Sequence, residues 1–305
     1  MKDRIIVGTR GSPLALAQTK QVVEGLQNFA RDVRYETVTI RTRGDKMHDV
    51  GTTAVEGKML FTREIEDSLI KGEIDIAIHS MKDLTAELPA GLAIAAVPQR
   101  ADPRDVLVSR SKATLEQLPT GARVGTSSPR RRAQLLAARK DLEIIEMHGN
   151  VGTRLRKLAG GEYDAIVLAA AGLIRLGLVG HATEFLSPEI VLPAIGQGAL
   201  AIQSREDDHA VRSLVSNLNH IESRMAVDAE RAFARRLEAT CQVPIAAFAR
   251  VESKALRIDG MVADPNGRVV IRDGLVSSDL EPTKVGERLA EILLSRGAET
   301  VLEAT

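Results

Sequence analysis

Val7-Gly8-Thr9-Arg10-Gly11-Ser12-Pro13 closes a short apolar run and opens a helical pattern, and far downstream Val124-Gly125-Thr126-Ser127-Ser128-Pro129 does the same. In each copy the residues before the glycine read as a strand, a Ser or Thr can cap a helix, and proline takes the first helical position. The helices that follow carry Ala17-Gln18 and Ala133-Gln134 at matching places. A second pair of motifs recurs in the same order: Gly72-Glu73-Ile74-Asp75 before a strand at Ile76, and Gly161-Glu162-Tyr163-Asp164 before a strand at Ala165. Arg43-Gly44-Asp45 and His148-Gly149-Asn150 form a looser third pair. Repeats in register predict two similar α/β lobes. Ligands are expected at the carboxyl ends of their strands, in a cleft between the lobes.

Outward from these motifs, periodicity predicts strands over 5–8, 33–40, 74–78 and 92–97 and helices over 13–29 and 60–71. The polar, glycine-bearing stretch 44–58 reads as a mobile loop. Residues 207–238 read as one helix, with Leu214, Leu218, Ile221, Met225, Ala229 and Phe233 on its apolar face. Beyond it the period changes to that of strands over 245–251, 256–262 and 269–275, the last two joined by Asp264-Pro265-Asn266-Gly267, and a helix over 282–296 closes the chain. The predicted architecture is α/β: a first lobe of 1–97 with 198–216, a second of 98–197, and a small C-terminal α+β domain of 217–305.

The 305 residues, 44% of them hydrophobic and 27% charged, suit a globular protein with a real core. No apolar run approaches the length of a membrane span, and residues 1–18 lack the pattern of a secretory signal, so the expected address is the cytoplasm. Basic and acidic residues balance at 41 each, and aromatics are scarce, which argues against nucleic-acid or membrane partners. Arginine outnumbers lysine by 30 to 11, and the guanidinium is the group suited to fixed, bidentate pairing with carboxylate or phosphate. A single cysteine, Cys241, excludes an internal disulfide and a multi-thiolate metal site. The six histidines lack metal-ligand spacing, so no metal is expected.

The chemistry-bearing residues gather around the repeats. Arg10, Arg130, Arg131 and Arg132 flank the two Ser-Pro caps, whose free backbone N–H groups can meet an anion, while Arg154 and Arg175 fall at strand-to-helix junctions. Together they imply a small ligand with several negative groups. Phosphate chemistry lacks its usual glycine-lysine loop, since Val55-Glu56-Gly57-Lys58 has neither the first glycine nor the hydroxyl residue. His79-Ser80-Met81-Lys82-Asp83 ends a central strand, where Asp83 either pairs locally or faces a ligand N–H or a developing cation. Cys241 sits between helix and strand patterns, either as an inert small apolar residue or as an accessible attachment point.

Six stretches in order resemble the porphobilinogen deaminase (hydroxymethylbilane synthase) family. They are residues 7–15, 79–83, 125–128 with the arginines that follow, Leu168-Ala169-Ala170-Ala171-Gly172-Leu173, Pro193-Ala194-Ile195-Gly196-Gln197-Gly198-Ala199-Leu200, and Cys241-Gln242-Val243-Pro244-Ile245. The resemblance implies a transferase of haem and tetrapyrrole biosynthesis. Such an enzyme condenses four porphobilinogen molecules, each bearing an acetate and a propionate, into linear hydroxymethylbilane with loss of ammonia. It implies a dipyrromethane cofactor on the thiol of Cys241 and a catalytic carboxylate at Asp83 that holds pyrrole N–H groups and stabilises a cationic azafulvene. By the same resemblance Ser12, Lys82, Asp83, Thr126, Ser128, Arg130 and Arg131 contact the cofactor. Arg10, Ser12, Ser80, His148, Arg154 and Arg175 bind substrate, and Lys46 and Lys58 belong to the mobile loop.

Three stretches depart from the family pattern. His148 stands where arginine is usual, so binding there is expected to weaken as pH rises. Ala54 to Phe61 lacks a lysine and two glycines of the usual loop, with Met59 before Leu60, and Ala239-Thr240 replaces a glycine pair before Cys241. The resemblance implies a monomer. A non-catalytic two-lobed binding protein for a small polycarboxylate is the alternative, because the family's first two domains resemble type II periplasmic binding proteins.

Overall fold

The computed structural model describes residues 2–44, 61–238, 243–278 and 281–303. They form two compact units, Met1–Ala101 with Ala199–Arg224 and Asp102–Gly198 with Met225–Thr305. The chain starts in the first unit with β1 (Arg4–Thr9), α1 (Pro13–Phe29), β2 (Arg34–Thr39), α2 (Arg63–Ile70), β3 (Ile76–Ser80) and β4 (Leu92–Ala96). It crosses to the second for β5 (Asp105–Ser109), β6 (Arg123–Gly125), α3 (Pro129–Ala138), β7 (Glu143–Ile145), α4 (Val151–Ala159), β8 (Ala165–Ala169), α5 (Ala170–Arg175) and β9 (Glu184–Leu186). β10 (Leu200–Arg205) and α6 (His209–Val215) return to the first unit. α7 (Ile221–Arg236) begins in the first unit and passes into the second at Met225, and β11 (Ile245–Glu252), β12 (Ala255–Ala263), β13 (Val270–Ser277), α8 (Pro282–Ser295) and α9 (Ala298–Glu303) complete the second.

The repeats become two sheets of the same design, β2-β1-β3-β10-β4 and β7-β6-β8-β5-β9. Three parallel strands lead in each, and the fourth runs antiparallel to both of its neighbours. The paired motifs explain one another physically. Asp75 donates its backbone N–H to the Ile6 carbonyl and accepts the Ile6 N–H on its carboxylate, each at 2.8 Å. Asp164 does the same with Arg123, its carboxylate accepting that N–H at 2.9 Å. One residue earlier, Ile74 packs over Gly8 and Tyr163 over Gly125, so closely that a Cβ at either glycine would lie 2.3 or 2.8 Å from them. The repeated Gly-Glu-x-Asp is therefore a latch on the repeated Val-Gly-Thr, and it aligns the carboxyl ends of β1 with β3 and of β6 with β8.

Apolar faces of α1 and α6 cover the first sheet around Ile5, Leu26, Ile76 and Ile202, and α2 covers its other side around Ile65 and Leu69. Two further clusters, around Leu107 with Leu135 and around Ile166 with Leu173, sandwich the second sheet. The three C-terminal strands form an antiparallel meander whose core joins Phe233 of α7 to Ile258 and to Leu289 of α8. Each such fully buried side chain contributes about 2 kcal/mol.

The single helix expected over 207–238 is two. It breaks at Asn219-His220, where the Asn219 side chain accepts the Val97 N–H, His220 N–H donates to Val97, and His220 Nδ1 accepts the Ser223 N–H as a cap. Ile221, placed on the apolar face by its spacing, is 70% exposed at the first position of α7, directly after this break. The loop expected over 44–58 lies outside the described residues after Gly44.

Candidate functional site

In the first unit the sequence-predicted residues meet at the carboxyl ends of β1 and β3. Ser12 caps α1 by accepting the Ala15 N–H at 3.2 Å, with Pro13 opening the helix. β3 ends in a turn of 3₁₀ helix, Met81–Asp83, because Met81 is buried and its N–H donates to Ala199. Arg10, Ser12, Ser80 and Asp83 thereby line one pocket, together with Gln18, Phe61 and His79. The Arg10 guanidinium lies 4.2 Å from the centre of the Phe61 ring, and Gln18 donates to the Ser80 hydroxyl at 2.8 Å. Among the described residues no hydrogen bond or ion pair engages the Asp83 carboxylate, so the local pair with Lys82 does not form. Lys82 is half-buried beside it in the chain but outside the pocket lining.

His79 was not singled out as a site residue, yet it sits 5% exposed in this pocket. Burial lowers its pKa to about 4, against an opposing effect of the Gln203 side chain and with a lesser push from the Arg10 guanidinium. Its Nε2 and the Gln203 Oε1 both lack an aligned hydrogen-bond partner, although Gln203 lies on the neighbouring strand β10, two residues from the position opposite His79. The imidazole is neutral at physiological pH.

In the second unit Thr126 and Ser128 repeat the arrangement of the first. Thr126 Oγ1 accepts the Ser128 N–H at 3.2 Å, and Ser128 caps α3 by accepting the Arg131 N–H at 3.4 Å. That cap turns Arg130 and Arg131 inward, where both are almost fully buried. They close on a residue that the sequence analysis did not single out. Asp105, wholly buried at the start of β5, lies 2.7 Å from each guanidinium. Burial opposes its ionisation, but the two arginines outweigh that and hold its carboxyl well below the usual range. The one available signal was its place in Asp102-Pro103-Arg104-Asp105, directly before the apolar run Val106-Leu107-Val108.

Arg154, on the first turn of α4 behind the Asn150 cap, donates Nε to the Gly149 carbonyl at 2.8 Å. Burial and the neighbouring Arg131 guanidinium push its pKa down to about 10, and among the described residues no carboxylate pairs with it. Arg175, at the end of α5, donates to the Gly198 carbonyl at 2.9 Å, and burial likewise lowers it to about 10. His148 is not drawn into this group. Half-exposed, it contacts Glu146 at 3.0 Å. Cys241, Lys46 and Lys58 lie outside the described residues, as do Ala54, Met59 and Ala239-Thr240.

The second unit thus holds buried arginine charge in excess of its one buried aspartate. Cations in that state are costly unless an anion completes them. A ligand bearing several carboxylates fits this donor set, and the dipyrromethane group, with acid side chains on each ring, is such a ligand. Among the described residues no cluster of His, Cys, Asp or Glu could hold a metal, and no helix is long and apolar enough to cross a membrane.

Comparison with known proteins agrees. Residues 5–213 match the family described as porphobilinogen deaminase, dipyromethane cofactor binding domain, and residues 225–295 match the porphobilinogen deaminase C-terminal domain. A porphobilinogen deaminase of Brevibacillus brevis is 49% identical over 97% of this chain and 96% of its own length. One from Pelotomaculum thermopropionicum is 48% identical over 99% and 97%. Among solved structures, a periplasmic binding protein of Salmonella typhimurium described for high arginine specificity is 14% identical, with a TM-score of 0.42, over 70% of this chain and 90% of its own. With family matches on both halves and near-full-length relatives at almost half identity, the chain belongs to the porphobilinogen deaminase family, transferases of tetrapyrrole synthesis with a dipyrromethane cofactor.

Proposed function

We propose that this chain is a hydroxymethylbilane synthase that condenses four porphobilinogen molecules head to tail and releases ammonia at each step. The observation that carries this reading is the unpaired Asp83 carboxylate in a pocket with Arg10, Ser12 and Ser80. Arg10 is suited to hold a substrate acid group, and Asp83 to accept a pyrrole N–H and face the positive charge that develops as ammonia leaves. A neutral His79 beneath them adds no competing positive charge. The dipyrromethane group, joined by a thioether to Cys241, supplies the nucleophilic pyrrole carbon when bound. Arg130 and Arg131 hold its acid groups, with Thr126, Ser128, Ser12 and Lys82 as further contacts, while Arg154 and Arg175 receive substrate acids and His148 makes a weaker contact. The reading includes three domains, with 217–305 presenting the cysteine, and a cytoplasmic monomer.

The test is the intact mass of the denatured protein beside a Cys241→Ser control, before and after brief exposure to porphobilinogen. A two-pyrrole excess absent from the control, growing by single pyrroles with substrate as ammonia appears, is expected. An unmodified mass after incubation with substrate or preformed bilane overturns the reading. A Cys241→Ala protein that binds a dicarboxylate reversibly with unchanged affinity favours a binding protein.

A further inference from the structure

Asp105 belongs to none of the repeated motifs, yet its carboxylate meets three side chains. Oδ1 accepts from Arg131 Nε at 3.0 Å, Arg131 Nη2 at 2.7 Å and Gln197 Nε2 at 3.0 Å. Oδ2 lies 2.7 Å from Arg130 Nη1, a charge contact without hydrogen-bond alignment. Two carbonyls complete the cradle: Leu192 accepts from Arg130 Nη1 at 2.6 Å and Val167 from Arg131 Nη1 at 2.9 Å. These contacts fix the plane of each guanidinium. They use three of the five N–H groups of Arg131 and leave a hydrogen on each of its Nη atoms.

The arrangement is a poor choice for stability alone. One buried anion against two buried cations leaves a positive charge in a dry site, and a well-packed apolar substitute would be at least as stable. The surplus makes sense if a further anion completes the set. The same network also continues toward the C-terminal domain. Gln197 donates to the Pro103 carbonyl at 2.7 Å, and its neighbour Gly196 donates to Glu230 of α7 at 2.6 Å. The other oxygen of Glu230 accepts the Ala249 N–H of β11 at 2.8 Å. α7 and β11 are the elements that bracket Cys241 in the chain.

We infer that Asp105 is a positioning residue for the acid-binding arginines. It fixes both guanidiniums and cancels one of their two charges, so that the pair is set for one further carboxylate of the cofactor. Gln197 and Glu230 tie this setting to the elements on either side of the anchoring cysteine. The inference rests on the functional reading above.

The test uses full-length protein from cells that make no porphobilinogen, comparing wild type with Asp105→Asn, which keeps the shape and removes the charge. After addition of porphobilinogen, intact mass follows gain of the two-pyrrole adduct, with and without inorganic sulfate, and circular dichroism checks the fold. Asp105→Asn is expected to load on the order of tenfold to a hundredfold more slowly, since misoriented groups lose that much. Sulfate is expected to inhibit it at lower concentration than wild type, because the site carries one more positive charge. Loading at the wild-type rate overturns the inference. Slow loading with a wild-type response to sulfate marks a purely structural role and overturns it too. If Asp105→Asn does not fold, Gln197→Leu, which leaves all three charges in place, takes over. Slower loading with an unchanged sulfate response is expected of it, and an unchanged rate overturns the inference. Wild type that gains no adduct overturns the functional reading itself, and the inference with it.

Discussion

Replacing Arg154 with methionine in the cofactor-free Cys241→Ser protein should make it more stable while removing its response to ligand. Burial and the Arg131 charge lower the Arg154 pKa from the ordinary guanidinium value to about 10, which corresponds to about 3 kcal/mol of destabilisation at neutral pH. The sign follows from a cation whose folded pKa lies below its unfolded one: the cost is present in full below about pH 10 and fades as the proton is lost above it. Against this stands the hydrogen bond from Nε to Gly149, worth about 1 kcal/mol. Methionine keeps most of the apolar stem, so the net gain should be about 1–2 kcal/mol. For a protein of this size that is a rise in Tm of roughly 2–3 °C. The assay is thermal unfolding at pH 7 with and without porphobilinogen. The parent should unfold at the lower temperature alone and show the larger rise with ligand. A variant with lower Tm than the parent, or with an undiminished ligand-induced rise, refutes the argument that Arg154 is held charged for an anionic ligand.

Asp83→Asn should abolish ammonia release with a Tm within about 1 °C of wild type, because no partner of the carboxylate is lost; steady turnover in the variant removes Asp83 from its role. Gly267→Ala should cost at least about 2 kcal/mol by urea unfolding. Gly267 has φ +67°, and a Cβ there would lie 2.1 Å from the Ala133 carbonyl of α3; an unchanged urea midpoint contradicts that packing. Acid should destabilise the protein first between about pH 6.5 and 4, where the buried His79 stays neutral while the unfolded chain's imidazole takes up a proton, and again below the ordinary carboxylate value of 3.8, since Asp105 is held below it by Arg130 and Arg131 and Asp164 by the Arg123 N–H and guanidinium. Both carboxylates contribute stability above that pH and lose it as pH falls through their folded values, so a urea midpoint that stays constant down to about pH 2 would count against these pairs.

How far the sequence could be read depended on how local the physics was. The Ser12-Pro13 and Ser128-Pro129 caps, the Gly-Glu-x-Asp latches and the C-terminal meander with its Asp264 to Gly267 turn each draw on neighbouring residues, and each is visible in the sequence. Asp105 was not visible, because its partners lie in α3 and at Gln197, far along the chain, and no spacing marks a carboxylate that is buried by tertiary packing. His79 was quoted for its neighbours; only the fold shows that burial keeps it neutral. The false continuity of 207–238 arose because apolar spacing runs through Leu218 and Ile221 without recording the break at Asn219-His220, where both residues bond to Val97 far back in the chain.

β10 lies between β3 and β4, yet it is made about a hundred residues after both. While the ribosome is still extending the second unit, the first has a gap in the middle of its sheet, with two exposed edges where an interior strand belongs. Neither compact unit is a contiguous stretch of chain, so no simple truncation yields a complete first unit. Final closure of that sheet waits on late-synthesised residues, a topology that slows folding and exposes the nascent chain to mispairing. The sequence directly upstream of β10 is Pro193 to Ala199, the segment that carries Gly196 and Gln197. The strand that completes the sheet beside Asp83 is therefore made directly after Gly196 and Gln197, the residues that bond to Glu230 and Asp105.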